Sequence, residues 1–257
     1  VPLGGAITLE QPLEEWDARP ANALGLLPGS DPALRDELVV VTAHIDHVGV
    51  GRPDATGDSI YNGADDNASG TAGMLEIAEA FAALDRAPAR SVLFAAVSGE
   101  EKGLLGSHWL AERIPAGYRV VANVNLDMIS RNAPDTLAVV GQAMSELGPL
   151  VQRIARSNPE LGFTVVETMN PELPIIRMSD HAAFLGRGVP AVFFNSGLHP
   201  DLHRPSDHVE AGDPDKAARA ARLAFLLTHA IAELAAPPAL TEEGRRWVEQ
   251  FGVGARR

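Results

Sequence analysis

The stretch "LVVVTAHIDHVG" (residues 38–49) is an apolar, β-branched run that passes directly into histidines and an aspartate. An apolar run of this length, without polar alternation, is typical of a strand buried on both faces, as in parallel sheets. The polar end of the run, with His44, Asp46 and His47, therefore lies at the carboxyl end of the strand. In open parallel sheets that end borders the crevice in which ligands bind.

Similar apolar runs recur along the chain and alternate with segments of helical spacing. The sequence predicts strands at residues 38–45, 91–97, 120–126, 136–140, 163–166 and 189–194. It predicts helices around residues 74–84 and 104–112, near 144–157, 180–186 and 214–235, and a short last helix from its cap Thr241 through Trp247. Alternation of this kind predicts an α/β layered fold with a mostly parallel central sheet.

Length and composition predict one compact domain. The chain has 257 residues, of which 46% are hydrophobic, and this suits one large core. We expect a single domain over residues 1–257, with a lead-in segment at 1–37 and a short helix and tail at 239–257. The most apolar stretch, residues 223–234, contains His229 and Glu233 and is predicted to be a core-facing helix rather than a bilayer span.

Charge and residue types exclude several classes of function. The formal net charge is −13 and the isoelectric point is about 5.0, so we expect neither nucleic acid nor an anionic membrane as a partner. Cysteine is absent, which excludes disulfides, thiolate nucleophiles and cysteine-ligated zinc. The sequence also lacks a G-x-S-x-G elbow and a G-x-x-x-x-G-K-[ST] phosphate loop. Metal-activated water is the best remaining nucleophile.

Acidic and imidazole side chains follow three of the predicted strands at their carboxyl ends. They are His44, Asp46 and His47 after the first strand, Glu100 and Glu101 after the second, and Asp127 after the third. The loop "NGADDNASG" (residues 62–70) adds two adjacent aspartates. Imidazole and carboxylate ligands without sulfur suit zinc, cobalt or manganese. Two neighbouring metals need a shared carboxylate, which Asp65 or Asp66 can supply.

Three histidines in "GLHPDLHRPSDH" (residues 197–208) are further candidate ligands. His199 and His203 are four residues apart, but the neighbouring prolines exclude a single helix that presents both, as zincin-type proteases do. One of His199, His203 and His208 can coordinate a metal, with Asp207 as the carboxylate that orients its imidazole. Spacing alone does not choose among the three.

Six motifs, in their order and spacing, resemble those of the zinc-dependent M28 aminopeptidases. They are "AHIDHVG", "NGADDNASG", "SGEEKGLLGS", "NLDM", "MSDHAAF" and "LHRPSD". The resemblance extends from about Leu38 to about Glu233. It implies a co-catalytic dizinc exopeptidase with the phosphorylase/hydrolase-like fold, a three-layer α/β/α sandwich around a central, mostly parallel mixed sheet.

The resemblance implies a ligand set for two zinc ions, which cobalt or manganese can replace. His44 and Asp127 would each hold one of the two metals. Asp65 would bridge them, Glu101 would pair with one and His203 with the other. Every ligand position matched to the family therefore carries a residue that can bind zinc.

The same resemblance implies roles around the ligands. Glu100 would be the general base, and Asp46 would orient His44. A non-proline cis peptide is expected after the bridging aspartate, here between Asp65 and Asp66. Further candidates for supporting the ligands or binding substrate are Asp66, Arg177, Asp180, His181 and Asp207.

Two features depart from the family pattern. Several members carry tyrosine before the last histidine ligand, where its hydroxyl helps to stabilise the tetrahedral intermediate, whereas this chain has Leu202. Relatives also often carry a protease-associated domain or a signal peptide, neither of which is visible here. We therefore expect a catalytic core cut from a longer precursor, and the resemblance implies an exported protein, secreted or periplasmic.

The implied function is hydrolysis of the peptide bond at a free N-terminus of a peptide substrate. A carboxypeptidase or an N-acyl amidohydrolase on a similar dimetal core is the alternative among enzymes. Glutaminyl cyclisation on this fold uses one zinc and is disfavoured by the two-metal set. A non-catalytic interaction domain is the alternative outside enzymes, although such relatives usually lose ligands. Arg177 and Arg204 are the candidates for anchoring a carboxylate if the C-terminus is read instead.

Overall fold

The computed structural model describes residues 19–254. Within these residues the strands are β1 (Ala23–Leu27), β2 (Glu37–His44), β3 (Gly49–Val50), β4 (Ile60–Tyr61), β5 (Ser91–Val97), β6 (Arg119–Leu126), β7 (Thr136–Val140), β8 (Thr164–Val166) and β9 (Ala191–Asn195). The α-helices are α1 (Gly70–Ala82), α2 (Leu105–Glu112), α3 (Leu147–Ser157), α4 (His181–Leu185), α5 (Pro214–Glu233) and α6 (Glu242–Phe251).

Seven of the strands form one mixed sheet in the order β1-β5-β2-β6-β9-β7-β8, and β3 pairs with β4 in a separate ribbon. Strands β5, β2, β6 and β9 run parallel to one another, as do β7 and β8. Strand β1 is antiparallel to β5, and β7 is antiparallel to β9. The predicted α/β fold with a mostly parallel mixed sheet is confirmed.

Helices cover both faces of the sheet. Val39 and Val41 of β2 pack in one core with side chains of α1, α3 and α5. Leu38 and Val40 pack in a second core with side chains of α2 and α4. Successive side chains of a strand point to opposite faces, so a strand between two helical layers needs apolar residues at every position. This explains the apolar run that opens the 38–49 stretch.

The last two helices each begin after a residue whose side chain caps the helix N-terminus. The Asp213 side chain accepts a hydrogen bond from the Lys216 amide and begins α5, with Pro214 at its first position. The Thr241 side chain accepts from the Gly244 amide and begins α6, as the sequence predicts. Helix α6 extends to Phe251 rather than ending near residue 247.

One strand was not predicted. Residues 23–27 belong to the expected lead-in segment, yet they form β1 at the edge of the sheet. Its sequence, ALGLL, is apolar, but four of its five residues are exposed, so the strand is not a buried core strand. Main-chain pairing with β5 holds it in place. Residues 1–18 of the lead-in segment and 255–257 of the tail lie outside the described residues.

Among the helices of residues 19–254, none combines the length and the apolar character needed to cross a bilayer. Strands β5, β2 and β6 are adjacent and parallel, so their carboxyl ends meet at one edge of the sheet. The register pairs Thr42 with Asn125, which brings the residues two positions further along, His44 and Asp127, side by side. The fold therefore gathers the loops after three strands at one place.

Candidate metal centre

Two groups of potential ligands meet at this edge of the sheet. The His44 cluster contains His44, Glu100 and Asp127. The His203 cluster contains His47, Asp66, Glu101 and His203. Within each cluster, one nitrogen or oxygen atom from every member lies within 4.8 Å of the others. Of the metal-ligand candidates predicted from sequence, the structure thus brings together His44, Glu101, Asp127 and His203.

Asp66 lies between the two clusters. Its Oδ1 is 3.2 Å from Nε2 of His44, and its Oδ2 is 3.1 Å from Nε2 of His203. The family resemblance implies that Asp65 lies between the two metals. In the structure the Asp66 side chain lies there instead, so the assignment to Asp65 is wrong. The cis peptide likewise joins Asp66 to Asn67, not Asp65 to Asp66.

Asp65 is buried on the other side of the loop. Its Oδ1 accepts hydrogen bonds from the amide and the hydroxyl of Ser130, at 2.8 and 2.6 Å, and from the Ser69 hydroxyl at 3.1 Å. Its Oδ2 is 3.4 Å from Nε2 of His199. Asp65 therefore anchors the loop to the segment after β6, while its neighbour faces the clusters. Two adjacent aspartates look equivalent in sequence, and only the path of the loop separates them.

The grouping of the ligands also differs from the expected one. His44 and Asp127 were expected on different metals, but Nε2 of His44 is 3.3 Å from Oδ1 of Asp127 within one cluster. Glu101 and His203 were expected on different metals as well, and Oε2 of Glu101 is 3.0 Å from Nε2 of His203. The adjacency of β2 and β6 explains the first pair, because strands in register deliver their next residues to the same point.

His47 is a site residue whose role the sequence analysis missed. It was placed at the sheet edge without a function, because the family resemblance assigns none to this position. In the structure its Nδ1 is 3.0 Å from Oε1 of Glu101 and 3.6 Å from Oδ2 of Asp66. The available signal was a second histidine three residues after His44 in "HIDH".

The arrangement of the clustered atoms suits coordination of metal ions better than hydrogen bonding among the side chains. Nε2 of His44, Nδ1 of His47, Oε1 of Glu101 and Oδ1 of Asp127 are buried without a hydrogen-bond partner among residues 19–254. Their neighbours are nevertheless only 3.0–3.3 Å away, so they converge without aligning as donor and acceptor. Ligand atoms on one tetrahedral zinc are about 3.3–3.6 Å apart, given metal–ligand distances of about 2.0–2.2 Å. The donor set of imidazoles and carboxylates therefore fits zinc, cobalt or manganese.

Carboxylates dominate the electrostatics of the site. Burial raises the pKa of Glu100 to about 9, and the charge of Asp127 acts in the same direction. Contact with the Asp66 carboxylate raises the pKa of His203 to about 10. Burial alone would lower the pKa of His44, but the charge of Asp127 and the contacts of His44 with Asp127 and Asp66 together outweigh it and raise that pKa. Excess negative charge of this kind favours a bound divalent cation.

The Asp46 carboxylate, which the family resemblance implies orients His44, contacts the backbone of Glu100 and Glu101 instead. Its Oδ1 and Oδ2 accept hydrogen bonds from the amides of Glu100 and Glu101, at 3.1 and 3.3 Å. It is the backbone carbonyl of Asp46 that lies 3.0 Å from Nδ1 of His44, whereas its carboxylate is 3.9 Å away. The carboxylate therefore holds the short turn Glu100–Lys102, and the carbonyl orients the imidazole.

Asp207 does not orient an imidazole, in contrast to the expectation. Its Oδ2 accepts hydrogen bonds from the amides of Asp65 and Asp66, at 3.0 and 3.1 Å. Its Oδ1 is 3.4 Å from a guanidinium nitrogen of Arg131. Asp207 thus holds the backbone of the aspartate loop. Of the three histidines in residues 197–208, only His203 joins a cluster.

A buried chain of polar side chains supports Asp127. The Ser179 hydroxyl donates to Oδ2 of Asp127 at 2.7 Å and accepts from the Asn125 side chain at 2.7 Å. The Thr42 hydroxyl in turn donates to Oδ1 of Asn125 at 2.7 Å. These side chains fix one oxygen of Asp127 and leave Oδ1 for the cluster. Ser179 belongs to "MSDHAAF", but the sequence analysis chose only its neighbours.

The remaining candidates lie outside the two clusters. Asp180 is fully buried, and burial raises its pKa to about 7. The His181 ring stacks on Phe193 with centroids 5.0 Å apart, and burial lowers its pKa to about 3. The Arg177 guanidinium packs over the ring of Phe251. Arg204, the other candidate for anchoring a substrate carboxylate, is exposed.

Two cavities contrast in chemistry. A groove of about 810 Å³ between α1 and α5 is lined largely by alanine and contains none of the clustered residues. A smaller cavity of about 110 Å³ is lined by Asp66, Glu100, Glu101, Asp127 and His203 together with apolar side chains. The smaller cavity therefore joins the candidate metal positions to an apolar surface.

Comparison with known proteins concerns the family and the fold. Residues 22–228 match the sequence profile of peptidase family M28. The chain is 29% identical over 202 residues to a probable leucine aminopeptidase of Arthroderma otae, an alignment that covers 75% of this chain and 53% of that relative. A zinc aminopeptidase from Bacillus subtilis has a similar fold, with a TM-score of 0.64 and 25% identity, over 84% of this chain and 51% of that one.

The gamma-secretase component Nicastrin also shares the fold, with a TM-score of 0.64 and 16% identity over 90% of this chain and 47% of that one. At this identity the likeness concerns the fold alone. The chain spans about half the length of these relatives.

Proposed function

Because the chain belongs to peptidase family M28, we propose that it is a metalloaminopeptidase, which hydrolyses the first peptide bond of peptides that have a free N-terminus. One observation carries this proposal: the two oxygens of Asp66 face Nε2 of His44 and Nε2 of His203, and each of the two clusters contains buried ligand atoms that lack a hydrogen-bond partner among residues 19–254. The names of the two aminopeptidase relatives support the same chemistry.

The proposed ligands of one zinc are His44, Asp127 and Oδ1 of Asp66. Those of the other are Glu101, His203 and Oδ2 of Asp66. When bound, zinc at this centre supplies Lewis-acid polarisation of the scissile carbonyl and lowers the pKa of an attacking water. The protein itself contributes a fixed set of donors and, through Asp66, a shared carboxylate.

Glu100 is the proposed general base. Its carboxylate lies near His44 and Asp127 and lines the small cavity, where it can reach a substrate. The Asp46 carboxylate holds the amide of Glu100 and thereby fixes the start of the turn. Glu100 would take a proton from the attacking water and pass it to the leaving amine.

The charge of the small cavity supports binding of an N-terminal ammonium group. Four acidic residues line it, and none of its lining residues in the part of the chain that the structure describes is lysine or arginine. An ammonium gains Coulomb energy in such a place, whereas a carboxylate requires a dedicated cation. Arg177 is engaged with Phe251 and does not line this cavity.

The apolar wall of the cavity supports an apolar first residue in the substrate. The wall consists of Met128, Ile175, Met178, Phe193, Leu198 and Leu202. Leu202 stands where several relatives have tyrosine, so this chain extends the apolar surface and offers no hydroxyl at that position. We therefore propose a preference for leucine, methionine or phenylalanine at the N-terminus of the substrate.

The test compares aminoacyl p-nitroanilides of leucine, glutamate and lysine with their N-acetylated forms, using zinc-loaded protein. We expect the leucine compound to react fastest. We expect N-acetylation to reduce its rate by at least about tenfold, because a charge-assisted hydrogen bond contributes about 1.5–3 kcal/mol. Chelator should abolish the activity, and added zinc should restore it.

Other outcomes would favour the alternative functions. Release of the C-terminal residue from N-acetylated peptides at an undiminished rate would overturn the proposal in favour of a carboxypeptidase. Removal of only the acyl group would indicate an N-acyl amidohydrolase. Zinc-loaded protein without turnover of any of these substrates would favour an interaction domain.

A further inference from the structure

We propose that His47 is a fourth protein ligand of the metal held by Asp66, Glu101 and His203, so that the two metal positions differ in ligand number and affinity. The inference rests on the proposed two-metal function and deepens it. The matched family motif assigns no role to this histidine.

His47 converges with the three other members of its cluster. Glu101 directs Oε1 to Nδ1 of His47 and Oε2 to Nε2 of His203, both at 3.0 Å. Nδ1 of His47 is also 3.6 Å from Oδ2 of Asp66. These separations bracket the distance of about 3.3–3.6 Å expected for two ligand atoms on one tetrahedral zinc.

The hydrogen-bonding capacity of the His47 ring is not satisfied by the described residues. Nδ1 and Nε2 are both buried and lack a hydrogen-bond partner within residues 19–254. Oε1 of Glu101 also lacks one, even though Nδ1 of His47 is 3.0 Å away. Burying polar atoms without partners costs free energy, and a cation between these two atoms would remove the cost.

The surrounding structure leaves a space that fits the His47 ring. The His47 side chain is only 10% exposed. Gly63, at φ 64°, packs against it, and a Cβ atom there would lie 2.7 Å from Cγ of His47 and 2.5 Å from the carbonyl oxygen of Asp66. Glycine tolerates this backbone conformation and leaves the space for the imidazole. A side chain at position 63 would displace the ring from the cluster.

The His44 position is different. The metal position in the His44 cluster has three proposed protein ligands, His44, Asp127 and Oδ1 of Asp66, because Glu100 is the proposed base and not a ligand. A zinc site with three protein ligands keeps an open position for water or substrate, whereas four protein ligands close a tetrahedral site. We therefore infer that the His203 position fills first and holds its metal more tightly, and that the His44 position fills second.

The test measures zinc binding to the chelator-stripped full chain by competition with a zinc indicator. The wild-type protein should bind two zinc ions in two resolved steps. His47→Ala should weaken the tighter step by at least the roughly 10-fold to 100-fold that is typical for loss of a residue that only supports a ligand, and it should affect the weaker step less. Asp127→Asn should do the reverse. His208→Ala, which alters an exposed histidine outside both clusters, is the matched control and should bind like wild type.

His47→Asn separates a ligand from a residue that only orients Glu101, because its side-chain amide can still donate to Oε1 but binds zinc poorly. The proposal requires this variant to lose affinity as His47→Ala does. Wild-type affinity in His47→Asn, or in both variants, would overturn the role of His47 while the two-metal function stands. If the wild-type protein binds no zinc, the proposed function fails with it. Far-UV circular dichroism in chelator checks that each variant is folded.

Discussion

Asp65 and Asp66 are adjacent, and we predict that replacing them has opposite consequences. Oδ1 of Asp65 accepts two hydrogen bonds from Ser130, at 2.8 and 2.6 Å, and one from Ser69 at 3.1 Å. The Ser69 hydroxyl has the Asp65 carbonyl as another acceptor at 2.7 Å, so only the two bonds from Ser130 are counted. At about 1.5–3 kcal/mol for each bond to a charged acceptor, Asp65→Ala should lower the free energy of unfolding by about 3–6 kcal/mol.

A loss of this size is readily measured. In a domain of about 150–250 residues, 1 kcal/mol shifts Tm by about 2–4 °C, so the Tm of the metal-free protein should fall by at least about 6 °C. The variant should still bind zinc when folded, because Asp65 contributes no atom to either cluster. Asp66→Asn should instead remove the stabilisation by zinc, which is about 2.7 kcal/mol at a zinc concentration 100 times the Kd.

The assay is urea-induced unfolding of both variants, with chelator and with zinc, together with metal analysis of the folded proteins. Asp65→Ala should be less stable than wild type in chelator and gain stability with zinc. Asp66→Asn should gain nothing from zinc. An Asp65→Ala variant that keeps its metal-free stability but loses zinc, beside an Asp66→Asn variant that keeps zinc, would refute this placement of the two side chains.

Three further predictions concern the base, a supporting residue and acid stability. Glu100→Gln should reduce turnover by about 10²-fold to 10⁴-fold at unchanged zinc content, because a base is lost but no ligand. Glu101→Gln should lose zinc. If kinetics and metal analysis show the opposite pattern, the roles of the two glutamates are reversed. Ser179→Ala removes the hydroxyl 2.7 Å from Asp127, so zinc titration should show affinity about 10-fold to 100-fold weaker, with recovery in Ser179→Thr. Burial lowers the pKa of His181 to about 3, below its unfolded value of about 6.5, so below pH 6.5 the unfolded chain binds a proton that the native state does not. Stability should therefore fall by about 1.4 kcal/mol per pH unit between pH 6.5 and 3, and urea unfolding at pH 7 and 5 should show a loss about 2 kcal/mol greater for wild type than for His181→Leu.

The class of fold and the edge of the sheet at which ligands gather follow from local sequence patterns. The apolar run at 38–44 has no alternation because β2 lies between two helical layers, and this property is local enough to be visible in the residues alone. The polar residues directly after β2, β5 and β6 are visible in the same way, because each set begins where an apolar run ends. The strand β1 escaped prediction because its short apolar sequence, ALGLL, is mostly exposed at the sheet edge, where main-chain pairing with β5 holds it.

The side chains that face the candidate metal positions are selected by long-range contacts in the folded chain. Asp65 and Asp66 have the same chemistry and adjacent positions, and what separates them is the path of the loop, held by the Asp207 carboxylate from 142 and 141 residues away. His47 joined the His203 cluster for a similar reason, because Gly63 leaves space for its ring and Glu101 arrives from another strand end. Contacts between residues far apart in the chain set the direction of each side chain, and neither spacing nor composition encodes that direction.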